Sequence, residues 1–254
     1  MPQTVSCISL LGWMEEGDAV DYLTEGCVSK APMTRDEAGR IWREMRDKTH
    51  AAARARGYAI PSWRASNGEA ASQFLSKVGE PVKSVIEIDP ARLIAFQFYV
   101  AKERSAFHMG KPDNWAQRCL PTERLRASLQ IASDGNCIFF DVPHAEHVLT
   151  LTKEGELRVE QSYPYVVVGD IGNGRYLLRA GYHRAYAYMT AEPTPAEPFL
   201  AAVSGAELVE LDFPGMRSRL TPANPPLMGD SLNPSLALPV DAVRTRHQFR
   251  ITAP

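Results

Sequence analysis

The residues best suited to chemistry lie in one short segment, where Gly181 is followed by Tyr182, His183 and Arg184. An apolar stretch ending at Arg179 predicts a strand before this glycine, and the residues up to Met189 predict a helix after it. The first amides of a helix lack intrahelical partners and lie at the positive end of its dipole. A glycine there permits close backbone approach, so residues 181–184, here called the Gly181 turn, predict an anion site.

Two side chains of the Gly181 turn add to the amides. Arg184 carries a permanent charge that can pair with phosphate oxygens, and we expect it at the mouth of the turn. His183 can donate a hydrogen bond to the phosphate or act as an acid–base catalyst. The alternative interpretation is an ordinary exposed pair at the start of a helix.

This segment resembles the ParB/sulfiredoxin-like superfamily, whose members share a strand, a glycine turn and a helix bearing Gly-x-His-Arg. The hairpin that precedes the turn, from Tyr165 to Leu178, and the strand candidate at residues 85–88 fit the same pattern. The resemblance covers residues 84–190. It implies phosphate or nucleotide binding by Gly181, Tyr182, His183 and Arg184, with His183 as the catalytic residue where chemistry follows.

Three departures limit what the resemblance implies. Tyr182 stands where sulfiredoxins have their reactive cysteine, so that activity is not expected. The early acidic residue of the family's serine kinases cannot be matched to Glu87, Asp89 or Glu103. Chromosome-partitioning members have an arginine-rich box at this turn, followed by a helix-turn-helix domain. In this chain the turn has one arginine, Arg184, and a Pro-rich tail follows.

The functional hypothesis is therefore binding of the phosphate of a nucleotide or small phosphorylated ligand, with phosphoryl transfer left open. The residues do not specify a cofactor, although a nucleotide with Mg²⁺ is compatible with the hypothesis. The alternative is a nucleic-acid-binding or adaptor protein that uses the basic faces of residues 35–64 and 244–250. Nucleic acid is not favoured, because 28 Lys and Arg against 30 Asp and Glu give a net charge of −2.

No metal site or membrane segment is predicted. The four cysteines, at positions 7, 27, 119 and 137, are widely separated, and the pair His144 and His147 lacks an identifiable third ligand. The apolar stretch before Glu15 has no preceding Lys or Arg, so we expect no secretory signal and a cytoplasmic protein. The oligomeric state is not indicated.

The elements that position the turn predict an α+β fold, with a small mostly antiparallel or mixed sheet covered by helices. A Thr34–Glu37 capping box predicts a helix over residues 35–56. Helices are also predicted over residues 66–79 and from Pro121, with Leu125 and Leu129 on one face. Strands are predicted at 85–88, repeatedly over 137–179, and at 206–211. Asp89 either closes the strand at 85–88 or caps a helix that buries Leu93, Ile94, Phe96 and Val100.

The domain organisation follows from these elements. We predict a helical N-terminal extension over residues 1–83, the ParB/sulfiredoxin-like core over 84–190, and a Pro-rich wrapping arm with edge strands over 191–254. Prolines recur at positions 193, 195 and 198, which predicts a loop or linker over residues 192–198.

Overall fold

A computed structural model describes 14 stretches of the chain. These are residues 4–27, 33–56, 62–69, 71–72, 82–95, 99–102, 125–126, 130–134, 137–141, 147–151, 157–161, 166–204, 225–243 and 247–249. By contacts, the chain forms two compact units, residues 1–120 with 165–243 and residues 121–164 with 244–254. The division at 83 and 190 stays a prediction.

The fold class is α+β, as predicted. In chain order, the helices and strands of the described residues are β1 (Thr4–Ser9), α1 (Glu16–Asp21), α2 (Arg35–Arg56), β2 (Trp63–Ala65), β3 (Val82–Ile88), β4 (Ile94–Ala95), β5 (Tyr99–Ala101), β6 (Leu125–Arg126), β7 (Gln130–Asp134), β8 (Cys137–Asp141), β9 (His147–Leu151), β10 (Leu157–Gln161), β11 (Val167–Asp170), β12 (Tyr176–Ala180), α3 (Tyr182–Met189), β13 (Leu200–Ser204), β14 (Leu238–Val243) and β15 (His247–Phe249).

The first unit is built on a six-stranded mixed sheet in the order β2-β3-β13-β11-β12-β4. The pairs β11–β13 and β12–β4 are parallel, and the other neighbours are antiparallel. Trp63 on β2 contacts Tyr176 on β12, with ring centroids 5.6 Å apart, although the two strands are four places apart in the sheet. Since neighbouring strands are about 4.8 Å apart, this contact requires the sheet to curl.

The curled sheet encloses the main core of the first unit. Its fully buried side chains include Leu177, Leu178, Leu200 and Phe199, and they pack with Ala185 of α3. Burial of one such large apolar side chain stabilises the fold by about 1.5–3 kcal/mol. A separate antiparallel sheet in the order β14-β1-β5 brings residues 238–243 against the start of the chain.

Helix α2 has the predicted bounds, residues 35–56. The hydroxyl of Thr34 accepts a hydrogen bond from the amide of Glu37 at 3.2 Å, as the capping box predicts. The buried face carries Trp42, whose indole nitrogen donates to the carbonyl of Met14 at 2.9 Å. This face joins α2 to α1 and to the 3₁₀ turn over residues 11–13.

The predicted strands over residues 137–179 are confirmed, and the second unit contains β6 to β10 with β15. In that unit β6-β10-β9 and β15-β8-β7 form two antiparallel sheets. The helix predicted through Leu125 is wrong. Leu125 lies in β6 and pairs with Gln161 of β10, so pairing with a distant strand overrides the local helical pattern.

Asp89 closes β3, which is the first of the two roles weighed for it, whereas the helix that it would otherwise cap is wrong, because Ile94 lies in β4 and Val100 in β5. The residue follows β3, and its carboxylate accepts a hydrogen bond from the amide of Ala91 at 3.0 Å, which caps the 3₁₀ turn over residues 90–92. Residues 192–198 hold no helix or strand, as predicted. The strand predicted at 206–211 lies outside the described residues. Most of the helix predicted over 66–79 does too, although a helical hydrogen bond joins Ser72 to Gly68.

Candidate functional site

The Gly181 turn joins a strand directly to a helix, as the sequence predicts. Strand β12 ends at Ala180, and Gly181 adopts the left-handed conformation with φ of 104°. The amide of Ala185 then donates to the carbonyl of Gly181 at 2.8 Å, which is the first hydrogen bond of α3. The N-cap residue is Gly181 itself, so it contributes no side-chain cap. The amides of residues 182–184 therefore come before the first intrahelical bond.

The bare side of Gly181 faces the protein's own interior. A Cβ atom at this position would lie 2.9 Å from Cγ2 of Val166 and 3.2 Å from its Cγ1. The sequence assigns Gly181 to close approach by a phosphate, but Val166 occupies that side. The glycine is required here by its positive φ and by this packing. A ligand would reach the amides from another side of the turn.

The three side chains after Gly181 differ in exposure. Tyr182 is buried, and its hydroxyl donates to the carbonyl of Leu178 at 2.6 Å. His183 is partly exposed. Arg184 is only 3% exposed, so it is not at the mouth of the turn where we expected it. The reason is that α3 is enclosed on several sides, since it packs against the 3₁₀ turns at residues 90–92 and 228–232 and against β5.

The electrostatics of the first turn of α3 favour an anion. This turn contains no acidic residue, and it combines the helix dipole with the permanent charge of Arg184. The dipole alone stabilises a nearby negative charge by about 0.3–1 kcal/mol at an exposed position. An anion site at a helix start would use these features together with the backbone amides, and His183 is the least buried of the three side chains after Gly181.

The basic excess of residues 34–64 is largely engaged within the protein. Six of the eight Lys and Arg side chains in this range have a defined partner among the described residues. The pairs are Arg35 with Asp21, Arg43 with Glu16, Lys48 with Glu44, Arg56 with Asp230, Arg64 with Glu87, and Arg46 with the carbonyl of Met14 and the ring of Trp42. Of the second basic run, Arg244, Arg246 and Arg250 lie outside the described residues.

The structure also contains a cleft that the sequence does not predict. Its volume is about 410 Å³, and its walls include Trp63, Glu87, Asp89, Tyr188 and Phe199. Tyr188 belongs to the last turn of α3, so this cleft, here called the Trp63 cleft, lies at the opposite end of the helix from the Gly181 turn. The strand predicted at 85–88 is a usable signal for one wall. This strand, β3, lies between β2 and β13, which come from distant parts of the sequence. Their pairing with β3 is evident only from the sheet order of the structure.

Within the described residues, no group of three or more His, Cys, Asp or Glu side chains could hold a metal ion. His147 begins β9, while His144 and Cys119 lie outside those residues. Among the helices that the structure describes, none is both long and apolar enough to cross a membrane. The chain matches no family model, no curated protein and no solved structure.

Proposed function

We propose that the chain binds the phosphate group of a nucleotide or small phosphorylated ligand at the Gly181 turn. One observation carries the proposal: α3 starts directly from a strand end at a left-handed glycine, and its first turn holds His183 and Arg184 without any acidic side chain. In this proposal the amides of the first turn donate to phosphate oxygens. Arg184 is buried, so in this proposal its charge adds positive potential from the protein interior.

His183 is the residue to which we assign ligand contact and, where phosphoryl transfer occurs, acid–base catalysis. Its partial exposure and its place in the first turn of α3 support that role. The bound nucleotide would be accompanied by Mg²⁺, which neutralises phosphate charge. We assign the activity to the cytoplasm as part of the same proposal.

Membership of the ParB/sulfiredoxin-like superfamily belongs to this proposal as well. The order of a hairpin, β11 with β12, followed by a glycine turn and α3 supports it. Tyr182 is buried and takes the position of the reactive cysteine of sulfiredoxins, so the proposal excludes their sulfur chemistry.

Isothermal titration of the whole chain with ATP, ADP, CTP, GTP and inorganic phosphate, in the presence of Mg²⁺, tests the proposal. We expect binding by at least one of them and a loss of about 10- to 100-fold in affinity for His183→Ala, since a hydrogen bond to a charged group contributes about 1.5–3 kcal/mol. Arg179→Ala is the matched control. This exposed arginine lies at the end of β12, where it donates to the hydroxyl of Ser204 at 3.1 Å.

The variant Arg184→Met removes the buried charge while keeping much of the side-chain volume, and its fold is checked by circular dichroism before titration. We expect weaker binding by a folded Arg184→Met protein and unchanged binding by Arg179→Ala. The absence of binding by the whole panel would refute the proposal. Equal affinity for the wild type and His183→Ala would refute the assignment of His183.

A further inference from the structure

The Trp63 cleft has the size and the walls of a small-molecule site. Its volume of about 410 Å³ falls within the range of about 300–1,000 Å³ that is typical of ligand pockets. Tyr188 and Pro198 form one apolar part, and the ring of Tyr188 packs edge to face against the buried ring of Phe199 with centroids 5.2 Å apart. The hydroxyl of Tyr188 donates to the carbonyl of Glu197 at 2.8 Å, which fixes the ring in place.

Trp63 is an unusual wall residue because 46% of it is exposed. Among the described residues, only Trp63 and Leu232 are large hydrophobic side chains with such exposure. An edge contact with Tyr176 nevertheless holds the indole ring in position. A fixed and accessible indole is the best aromatic surface for a cation, because its π face is negative.

The charged groups of the cleft walls are predominantly negative. Glu87 and Asp89 contribute two carboxylates, and Arg64 contributes one guanidinium, which pairs with Glu87. The side chain of Arg64 is 77% exposed, whereas that of Glu87 is 19% exposed. The negative partner of the pair is therefore the more buried of the two. Asp89 also has an ion-pair partner, because its Oδ2 lies 3.6 Å from Nε of Arg92, a residue outside the cleft walls.

The end of α3 that reaches the cleft adds to this negative character. Tyr188 belongs to the last turn of α3, and that turn contains no basic residue. The carbonyl end of a helix favours a nearby positive charge. The cleft therefore combines aromatic walls, two carboxylates with one exposed guanidinium, and a helix C-terminus. All three features favour a positively charged ligand.

We propose that the Trp63 cleft binds a small organic cation. Its ammonium group lies against the indole of Trp63 and the carboxylates of Glu87 and Asp89, and its apolar part packs against Tyr188 and Pro198. This inference goes beyond the phosphate-binding proposal, because the cleft lies at the other end of α3 and selects the opposite charge.

Three probes of the same size class test the charge preference. The 2-phenylethylammonium ion, neutral 2-phenylethanol and the phenylacetate anion share a phenyl ring and differ in charge. Binding to the whole chain is measured by isothermal titration and by ligand-observed NMR at pH 7. We expect the cation to bind more tightly than the alcohol, and the alcohol more tightly than the anion. Equal affinities, tighter binding of phenylacetate, or the absence of binding by the cation would overturn the proposal.

Variants assign the binding to the cleft. Asp89→Asn and Trp63→Leu should each weaken binding of the cation by about two- to fivefold, which corresponds to about 0.5–1 kcal/mol for an exposed cation–π contact. Asp170→Asn is the matched control, since the carboxylates of Asp170 and Asp89 each accept from the amide two residues later, at 2.8 and 3.0 Å. Unchanged cation binding by both cleft variants, or equal weakening by Asp170→Asn, would refute the location.

Discussion

Replacing Gly181 with alanine is expected to destabilise the first unit through two separable effects. The first is backbone strain, because a side chain is disfavoured at φ of 104° by about 1–3 kcal/mol. The second is overlap, because the new Cβ would lie 2.9 Å from Cγ2 of Val166, and overpacking costs about 1–3 kcal/mol. The expected loss of unfolding free energy is therefore about 2–6 kcal/mol.

Two controls separate the effects. Gly172 also has a positive φ, 86°, but a Cβ there would meet nothing within 4 Å, so Gly172→Ala should show the strain alone. Val166→Ala removes both Cγ atoms that the new Cβ would meet. In that background Gly181→Ala should cost about 1–3 kcal/mol less than in the wild type, which is the coupling energy of the pair.

Urea unfolding followed by tryptophan fluorescence measures these energies. All four tryptophans of the sequence lie within residues 1–120, which belong to the unit that contains Gly181, so the signal reports that unit. A Gly181→Ala protein as stable as the wild type would refute both the strain and the overlap. An equal cost of Gly181→Ala in the wild-type and Val166→Ala backgrounds would refute the packing part alone.

The remaining predictions use the same unfolding assay. Gly12→Ala should cost about 3 kcal/mol because its Cβ would lie 2.7 Å from the carbonyl oxygen of Met45, whereas Gly17→Ala in α1 meets nothing and should stabilise by about 0.5 kcal/mol. Arg56→Ala should cost about 3 kcal/mol, because it leaves the buried carboxylate of Asp230 without its ion pair. Burial raises the pKa of Asp230 from its ordinary value of 3.8, against the lowering by Arg56. Between pH 3.8 and the raised pKa, the folded state binds a proton at Asp230 that the unfolded state does not. The unfolding free energy therefore falls as the pH rises through this range, and Asp230→Asn should flatten that dependence.

Local sequence signals predict the elements whose geometry is set by neighbouring residues. The hydroxyl of Thr34 fixes the start of α2 three residues away. Gly172, Asn173 and Gly174 all have positive φ, and these residue types adopt that conformation at the lowest cost, so the β11–β12 hairpin follows from the sequence. The strand–glycine–helix order at Gly181 is predictable for the same reason.

Features set by distant pairing are not predictable from the same signals. The burial of Arg184 depends on what packs over α3, including the turn at residues 228–232. The Trp63 cleft depends on β3 pairing with both β2 and β13, which are separated from each other by more than a hundred residues. Leu125 follows a helical pattern locally, yet it pairs with β10. In each case the deciding contact is remote in sequence, and periodicity contains no information about it.

Helix α3 connects the two proposals in physical terms. Its eight residues span about 12 Å at 1.5 Å per residue, so its two ends are well separated by one rigid element. The turn at its start has a buried guanidinium and no acidic side chain, whereas the cleft near its end is lined by Glu87 and Asp89 with one guanidinium, that of Arg64. The side-chain charge is thus positive at the start of α3, where the dipole is positive, and negative near its end, where the dipole is negative. A helix dipole stabilises charges of the opposite sign at each end. In the two proposals, this reversed arrangement favours an external anion at the start of α3 and an external cation at its end.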